Sequence, residues 1–361
     1  MINSYLTPYK ISLSKVNEIK RMVKKWTIKK IADELNLSIT TVSFILNGKG
    51  EEKRISKKVI DDVLHFISEV GYSPSTVARN LRIGKSKTIA FIAEDISGSL
   101  FASIAKQIED KFEEMGYTMI YASTENDATR AKNVIENLKN RQVDAFIVTP
   151  TNGIEKELEQ LIAEKYPVVI FDRLVSGIDS FNVIIDNYNA SFDGTKHLID
   201  NGYKSIGFVT VDLDQSQIMD RMNGYIDCVT QNGLLQYILR VPYAISMEEK
   251  ESLIKSFITE FKQLDSLLFA SNHLAIPGLR VIKQMKLKIP TDIGVVTFDD
   301  RELYQLHEPT ITAIDQPVAL FAERIVKGIS MQLLNETDNV DLDKNTLLPV
   351  TLIVRESSSK K

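Results

Sequence analysis

The polar side chains best placed for chemistry stand just beyond short apolar runs. Asp172 follows Val168–Phe171, Asn272 follows the run that begins at Leu267, and Asp299 follows Val295–Phe298. Gln316 and Ser97 close similar stretches, with Phe101 four residues beyond Ser97 and Arg221 inside a helical pattern. Asn272 offers both a donor and an acceptor, and Arg221 a planar fork of donors; such groups suit gripping a hydroxyl-bearing small molecule. A strand-end Asp or Asn equally often caps the next helix, and Asp186 and Asp300 are expected to be structural. Bond-breaking chemistry finds no set of residues. His65, His197, His273 and His307 are scattered without metal-ligand spacing, and neither a nucleophile elbow nor a Gly-rich dinucleotide fingerprint follows a strand. Asp299-Asp300 suggests no metal, because adjacent strand residues point apart. Gly84-Lys85-Ser86 mimics the end of a phosphate loop, but Arg79 stands where that motif needs glycine. We therefore expect no enzyme, no metal and no cofactor.

A second constellation lies near the front. Thr27 to Leu35 reads as a helix with Ile28, Ile31, Ala32 and Leu35 on one face and Thr27 as N-cap. Asn36-Leu37-Ser38 breaks the pattern. A second helix from Ile39 to Asn47 turns Val42, Ile45 and Leu46 inward. Its other face carries Thr40, Thr41, Ser43, Phe44 and Asn47, short enough for the helix to sink into a DNA major groove. Two short helices joined this way also occur in proteins that bind no DNA, so the spacing alone leaves the matter open.

The charge distribution adds to this. The chain of 361 residues has a net charge of −4, yet residues 1–87 hold 17 basic and 8 acidic side chains, giving +9. The rest holds 27 basic and 40 acidic, giving −13. A basic head on an acidic body suits contact with phosphate. With 43% hydrophobic and 25% charged residues the composition is that of a globular protein of two or three domains. No run approaches the roughly 18–20 apolar residues that span a bilayer. The first residues show no export signal, and the single Cys228 fits a reducing compartment; a cytoplasmic location is expected.

From Thr88 onward, apolar runs alternate with helical patterns, which indicates parallel α/β architecture. The runs are Thr88–Ala93, Met119–Tyr121, Ala145–Val148, Val168–Phe171, Val183–Ile185, Ile206–Val209, Leu267–Phe269 and Val295–Phe298. Helices are expected near 100–115, 188–201, 217–232, 248–262 and 273–285. Two successive α/β sets imply two lobes with a cleft where strand C-termini face each other.

The segment TIKKIADELNLSITTVSFILNG resembles the DNA-binding headpiece of the lactose-repressor (LacI/GalR) family of bacterial regulators. Arg54-Ile55-Ser56, Val63 and Gly71–Ser75 resemble its third helix and the approach to its hinge, and Val77–Ser86 the hinge itself. The resemblance spans residues 27–356 and implies a fold: an all-α helix-turn-helix headpiece before a two-lobed, periplasmic-binding-protein-like core with parallel sheets. It places an N-terminal extension at 1–26, the headpiece at 27–73, the hinge at 74–87 and the core at 88–356. Lobe 1 is then about 88–186 with 316–345, and lobe 2 about 187–315 with 346–356. Crossings between lobes are expected near Asp186–Asn189, Ile314–Pro317 and Asn345–Leu348. Residues Ser14–Trp26 read either as a basic amphipathic helix or as sequence ahead of a start at Met22.

What the resemblance implies about function is a repressor of carbohydrate-use genes, a homodimer on a palindromic double-stranded operator, controlled by a small-molecule effector such as a sugar. A purine-type regulator that needs its ligand to bind, and a soluble sugar-binding protein whose head serves assembly, are the alternatives. The implied DNA contacts are Thr27, Ser38, Ile39 and the exposed residues of the second helix, with Ala78 and Leu81 from the hinge; Leu81 takes the position of a leucine that wedges between base pairs. The implied effector contacts are Ser97, Phe101, Asp172, Arg221, Asn272, Asp299 and Gln316. Two departures stand out in the head. Phe44 replaces the family's usual arginine, so altered operator preference is expected, and Gly48–Lys53 lengthens the connection to the third helix. In the core, Gly98-Ser99 replaces the usual Asn-Pro and His273 an aspartate.

Overall fold

The computed structural model describes residues 26–72, 85–334 and 344–360. The chain divides into two compact units, Met1–Ser86 and Lys87–Lys361.

In the first unit, α1 (Ile28–Glu34) starts at Thr27, whose Oγ1 accepts from the Lys30 amide at 3.3 Å. Asn36 takes the left-handed conformation that ends the helix (φ 54°). Helix α2 (Ile39–Leu46) is capped by Ser38, whose Oγ accepts from the Thr41 amide at 3.0 Å. Helix α3 (Lys57–Val70) ends at Gly71 with φ 60°, as a left-handed cap requires. Ile31, Ala32, Val42, Ile45 and Val63 form the small core. Trp26, read from sequence as the end of the extension, packs edge-on against Phe66 of α3 at 5.1 Å and so belongs to this core. The reading of residues 1–25, and the hinge contacts Ala78 and Leu81, lie outside the described residues.

The second unit holds two sheets of six strands each. The first contains β1 (Thr88–Ala93), β2 (Thr118–Ser123), β3 (Ala145–Val148), β4 (Val168–Phe171), β5 (Phe181–Ile185) and β11 (Asn345–Leu348), in the order β11-β5-β4-β3-β1-β2. All its pairings are parallel. The second contains β6 (Ile206–Val211), β7 (Tyr237–Val241), β8 (Ser266–Phe269), β9 (Gly294–Phe298), β10 (Thr312–Asp315) and β12 (Thr351–Ile353), in the order β12-β10-β9-β8-β6-β7. Here β12 runs antiparallel to β10, a departure from the all-parallel expectation. The central strands are buried at nearly every position, as covering a sheet on both faces demands.

The helices that position the cleft are α4 (Ser99–Glu114), α7 (Asn187–Asp200), α8 (Ser216–Gln231), α10 (Asn272–Gln284) and α12 (Val318–Leu334); α5 (Ala128–Asn140), α6 (Glu155–Ala163), α9 (Met247–Glu260) and α11 (Glu302–Leu306) complete the cover. The chain passes between lobes after β5, after β10 and between β11 and β12. The third passage is therefore at Pro349-Val350. Residues 346–348, assigned from sequence to lobe 2, pair with β5 in the lobe 1 sheet. The serines at 357 and 358 are part of the packed structure. Ser357 and Ser358 are fully buried, Ser357 Oγ donating to the Val295 carbonyl at 2.6 Å and accepting from the Thr312 amide at 2.8 Å.

Candidate functional site

Both sheets reverse their strand order beside their first strand, between β1 and β3 and between β6 and β8. Loops at such a point diverge and leave a crevice at the strand C-termini. The two crevices face each other across a cavity lined by residues of both lobes, the place where a fold of this kind holds a small ligand.

Asp172 and Asp299 occupy equivalent places, one per lobe. Each follows a central strand, each has positive φ (73° and 67°), and each amide donates to the neighbouring strand, at 3.0 Å to Val183 and 2.9 Å to Ile314. A non-glycine residue in that conformation is uncommon. Here it closes the strand and turns the carboxylate into the cavity lining. Asp299 is held by its neighbours: Oδ2 accepts from Asn272 Nδ2 at 3.0 Å and Oδ1 from Gln316 Nε2 at 2.6 Å.

Arg221 reaches the cavity from α8, only 4% exposed. Its Nε donates to Asn187 Oδ1 at 2.7 Å and Nη1 to the Ala270 carbonyl at 2.6 Å, while the guanidinium lies 4.0 Å over the Phe298 ring. Burial lowers its pKa against the pull of Asp299 and Asp172. The sequence around it explains itself. Gly224 lets α8 close onto α7, since a Cβ there would sit 2.2 Å from the Tyr188 carbonyl oxygen. Tyr225 anchors the helix, its hydroxyl donating to the Ile206 carbonyl at 2.7 Å.

Six of the seven sequence-selected effector residues line the cavity: Phe101, Asp172, Arg221, Asn272, Asp299 and Gln316. Ser97 does not. It is exposed, and its amide and hydroxyl both bond to Asp95 at 2.8 Å, which turns the loop so that Gly98 and Leu100 face the cavity instead. Phe101 is buried against Phe171 at 6.0 Å, a wall of the cavity. Asp186 caps α7 through the Asn189 amide at 3.0 Å, and Asp300 makes a two-pronged pair with Arg355 at 2.7 Å, both structural as expected.

Sequence reasoning passed over a buried ionic cluster in the same wall. Arg173 Nε donates to Asp172 at 3.0 Å, Nη1 to Asn126 at 3.1 Å and Nη2 to Glu94 at 2.5 Å. Burial pushes the Glu94 carboxyl up, but Arg173 outweighs it and leaves the pKa below its ordinary value. Burial wins at Asp172, whose pKa is raised despite Arg173 and Arg221. Two carboxylates share one guanidinium. From lobe 2, Gln215 Nε2 donates to Asn126 at 2.9 Å and Ser216 Oγ accepts from the Leu174 amide at 2.9 Å, tying the lobes across the cavity mouth. Arg173 was in plain view after Asp172; the feature that marks it is three satisfied donors on a side chain 4% exposed.

In the first unit, Ile39 (47% exposed) and Thr40 on α2 and Asn47, which caps its end, are exposed, while Thr41, Ser43 and Phe44 are half-buried. Thr27 and Ser38 spend their side-chain oxygens on capping. Among the described residues no group of His, Cys, Asp and Glu could hold a metal, and no helix is long and apolar enough to cross a membrane.

Fold and site together define a two-lobed ligand sensor joined to a helix-turn-helix head. The family profile for periplasmic binding protein-like domains matches residues 195–358. The chain is 30% identical to the HTH-type transcriptional regulator RegA of Clostridium saccharobutylicum, over 92% of this chain and 99% of that one. It is 26% identical to the ribose operon repressor of Haemophilus influenzae, over 92% and 98%. In fold it resembles the Lac repressor dimer bound to operator and an anti-inducer, with a TM-score of 0.78 at 20% identity over 93% and 99%. A LacI-family transcriptional regulator from Silicibacter pomeroyi superposes with a TM-score of 0.79 at 19% identity over 93% and 100%. The chain belongs to the lactose-repressor family of transcriptional regulators.

Proposed function

We propose that this protein is a cytoplasmic, operator-binding repressor, acting as a homodimer, whose grip on DNA is set by a small neutral polyol such as a sugar. One observation carries the reading: in a chain with a capped two-helix head, two strand-end aspartates, a forked arginine and two amides converge on one buried cavity. That set donates and accepts in turn, as vicinal hydroxyls require. Gln316 Oε1 and Ser271 Oγ are buried there without a protein partner, and a ligand hydroxyl would satisfy either. The lining has three carboxylates (Glu94, Asp172, Asp299) and two guanidiniums (Arg173, Arg221), and Arg173 already pairs with two of those carboxylates, Asp172 and Glu94. A phosphorylated ligand is therefore disfavoured against a neutral one. The segment 74–87 would act as the hinge that converts lobe closure into head spacing.

Thermal shift with sugars, sugar phosphates and purines tests the ligand class. A true ligand at 100 times its Kd stabilises by about 2.7 kcal/mol. A shift with purines or phosphorylated sugars and none with any neutral sugar would overturn the polyol reading.

A further inference from the structure

The face that would enter the major groove carries no charge. Helix α2 reads Ile-Thr-Thr-Val-Ser-Phe-Ile-Leu from Ile39 to Leu46, so it brings no cation of its own to a polyanion. The nearest answer is in the lengthened connection behind it. That segment is a folded turn rather than slack chain. The Lys53 amide donates to the Lys49 carbonyl at 3.0 Å, Arg54 to Glu51 at 2.9 Å and Ile55 to Gly50 at 2.9 Å. Gly50 is buried where a Cβ would meet Ile60 Cδ1 at 2.7 Å, which pins the turn to the core. Folded this way, the turn returns the Lys53 ammonium to 5.7 Å from the centre of the Phe44 ring, inside cation–π range. Its other partner is Glu52 at 3.0 Å, with side chains 44% and 62% exposed, an ion pair that water and salt weaken readily.

We propose that Lys53 supplies the DNA-directed cation that α2 lacks, with the Phe44 ring as its positioning residue. The two departures in the head are then one device: the aromatic ring stands on the groove-reading helix, and the added turn delivers the charge across it. The acceptor is an anionic or electron-rich oxygen or nitrogen of the duplex, either a backbone phosphate or a guanine edge. The proposal rests on the operator-binding reading and deepens it.

The test uses the full chain, a duplex selected from a random pool and an unrelated duplex, with Kd measured across a salt series. Lys53→Gln is expected to raise Kd about three- to tenfold and to lower the salt slope by about one. Equal loss on both duplexes assigns a phosphate; loss on the selected duplex alone assigns a base. Lys53→Arg should restore most of the affinity. In a Phe44→Leu background, which keeps an apolar contact but removes the π face, Lys53→Gln should cost less than about half its wild-type effect on the logarithmic scale. Matching melting curves show that each variant folds. Unchanged Kd and slope in Lys53→Gln would overturn the proposal, and a Lys53 effect undiminished by Phe44→Leu would overturn the positioning role of the ring. A wild-type chain that ignores every duplex overturns the repressor reading itself, a result distinct from either.

Discussion

On the proposed reading, ligand response turns on Arg221. Its Nε and Nη1 are fixed by Asn187 and Ala270, which aims the remaining edge of the fork into the cavity. Arg221→Lys keeps a charge but loses the fork, so effector affinity should fall at least about tenfold, the worth of one lost charge-assisted bond. Calorimetric titration checks it, and unchanged affinity would remove Arg221 from the ligand. The neighbouring acids titrate in opposite senses. Glu94, depressed by Arg173, adds stability above the ordinary carboxylate range that is lost as pH falls through its folded value. Asp172, raised by burial, does the reverse: its contribution is present in acid and lost as pH rises through its folded value. The melting temperature of Asp172→Asn relative to wild type should therefore climb as pH rises above the ordinary carboxylate range, while that of Glu94→Gln should decline as pH rises toward that range from below and stay level beyond it. Parallel trends would refute the assignment. At this scale the sequence was informative about single ligand-facing residues, because strand-end polar groups announce themselves. It was silent on Arg173, Glu94 and Asn126, whose meaning comes from bonds spanning 47 and 79 residues.

Helices and strands were legible where their period was long and clean. The runs at β1, β3, β4, β8 and β9 were visible because each is buried throughout or nearly so. Strand β7 was missed because it lies at a sheet edge and buries only its two ends. The closing Ser357-Ser358 is hard to place from sequence for a related reason: serine looks solvent-seeking until tertiary partners appear, here Thr312, Val295 and His197. Ser357→Ala should cost about 1–3 kcal/mol, since it strands a buried amide and carbonyl; denaturant unfolding measures it, and a neutral result would show that the segment is not a staple. The α7–α8 contact makes a stricter test. Gly224→Ala puts a methyl against the Tyr188 carbonyl, so the helices must part, at about 1–3 kcal/mol. Because Arg221 rides on α8, ligand affinity should fall with stability. A variant that melts early yet binds ligand normally would show that the close approach serves packing alone.

At the scale of the whole molecule, the alternation of strands and helices foretold two lobes, and the switch in strand order says where a ligand belongs. The third passage between lobes could not be placed to the residue because β11 and β12 are short and separated by only Pro349 and Val350. The account of function is a linkage between that ligand and DNA affinity, and reciprocity makes it testable from either end. Fluorescence anisotropy of the full-length chain on its selected duplex, with and without a saturating neutral sugar found by thermal shift, tests it most directly. The account predicts tight, salt-sensitive binding whose Kd moves at least about tenfold with the sugar, a typical coupling energy, and an Arg221→Ala variant that binds DNA equally well but no longer responds. Binding to duplex that is absent in dilute salt, or an Arg221→Ala variant that responds like the wild type, would contradict it.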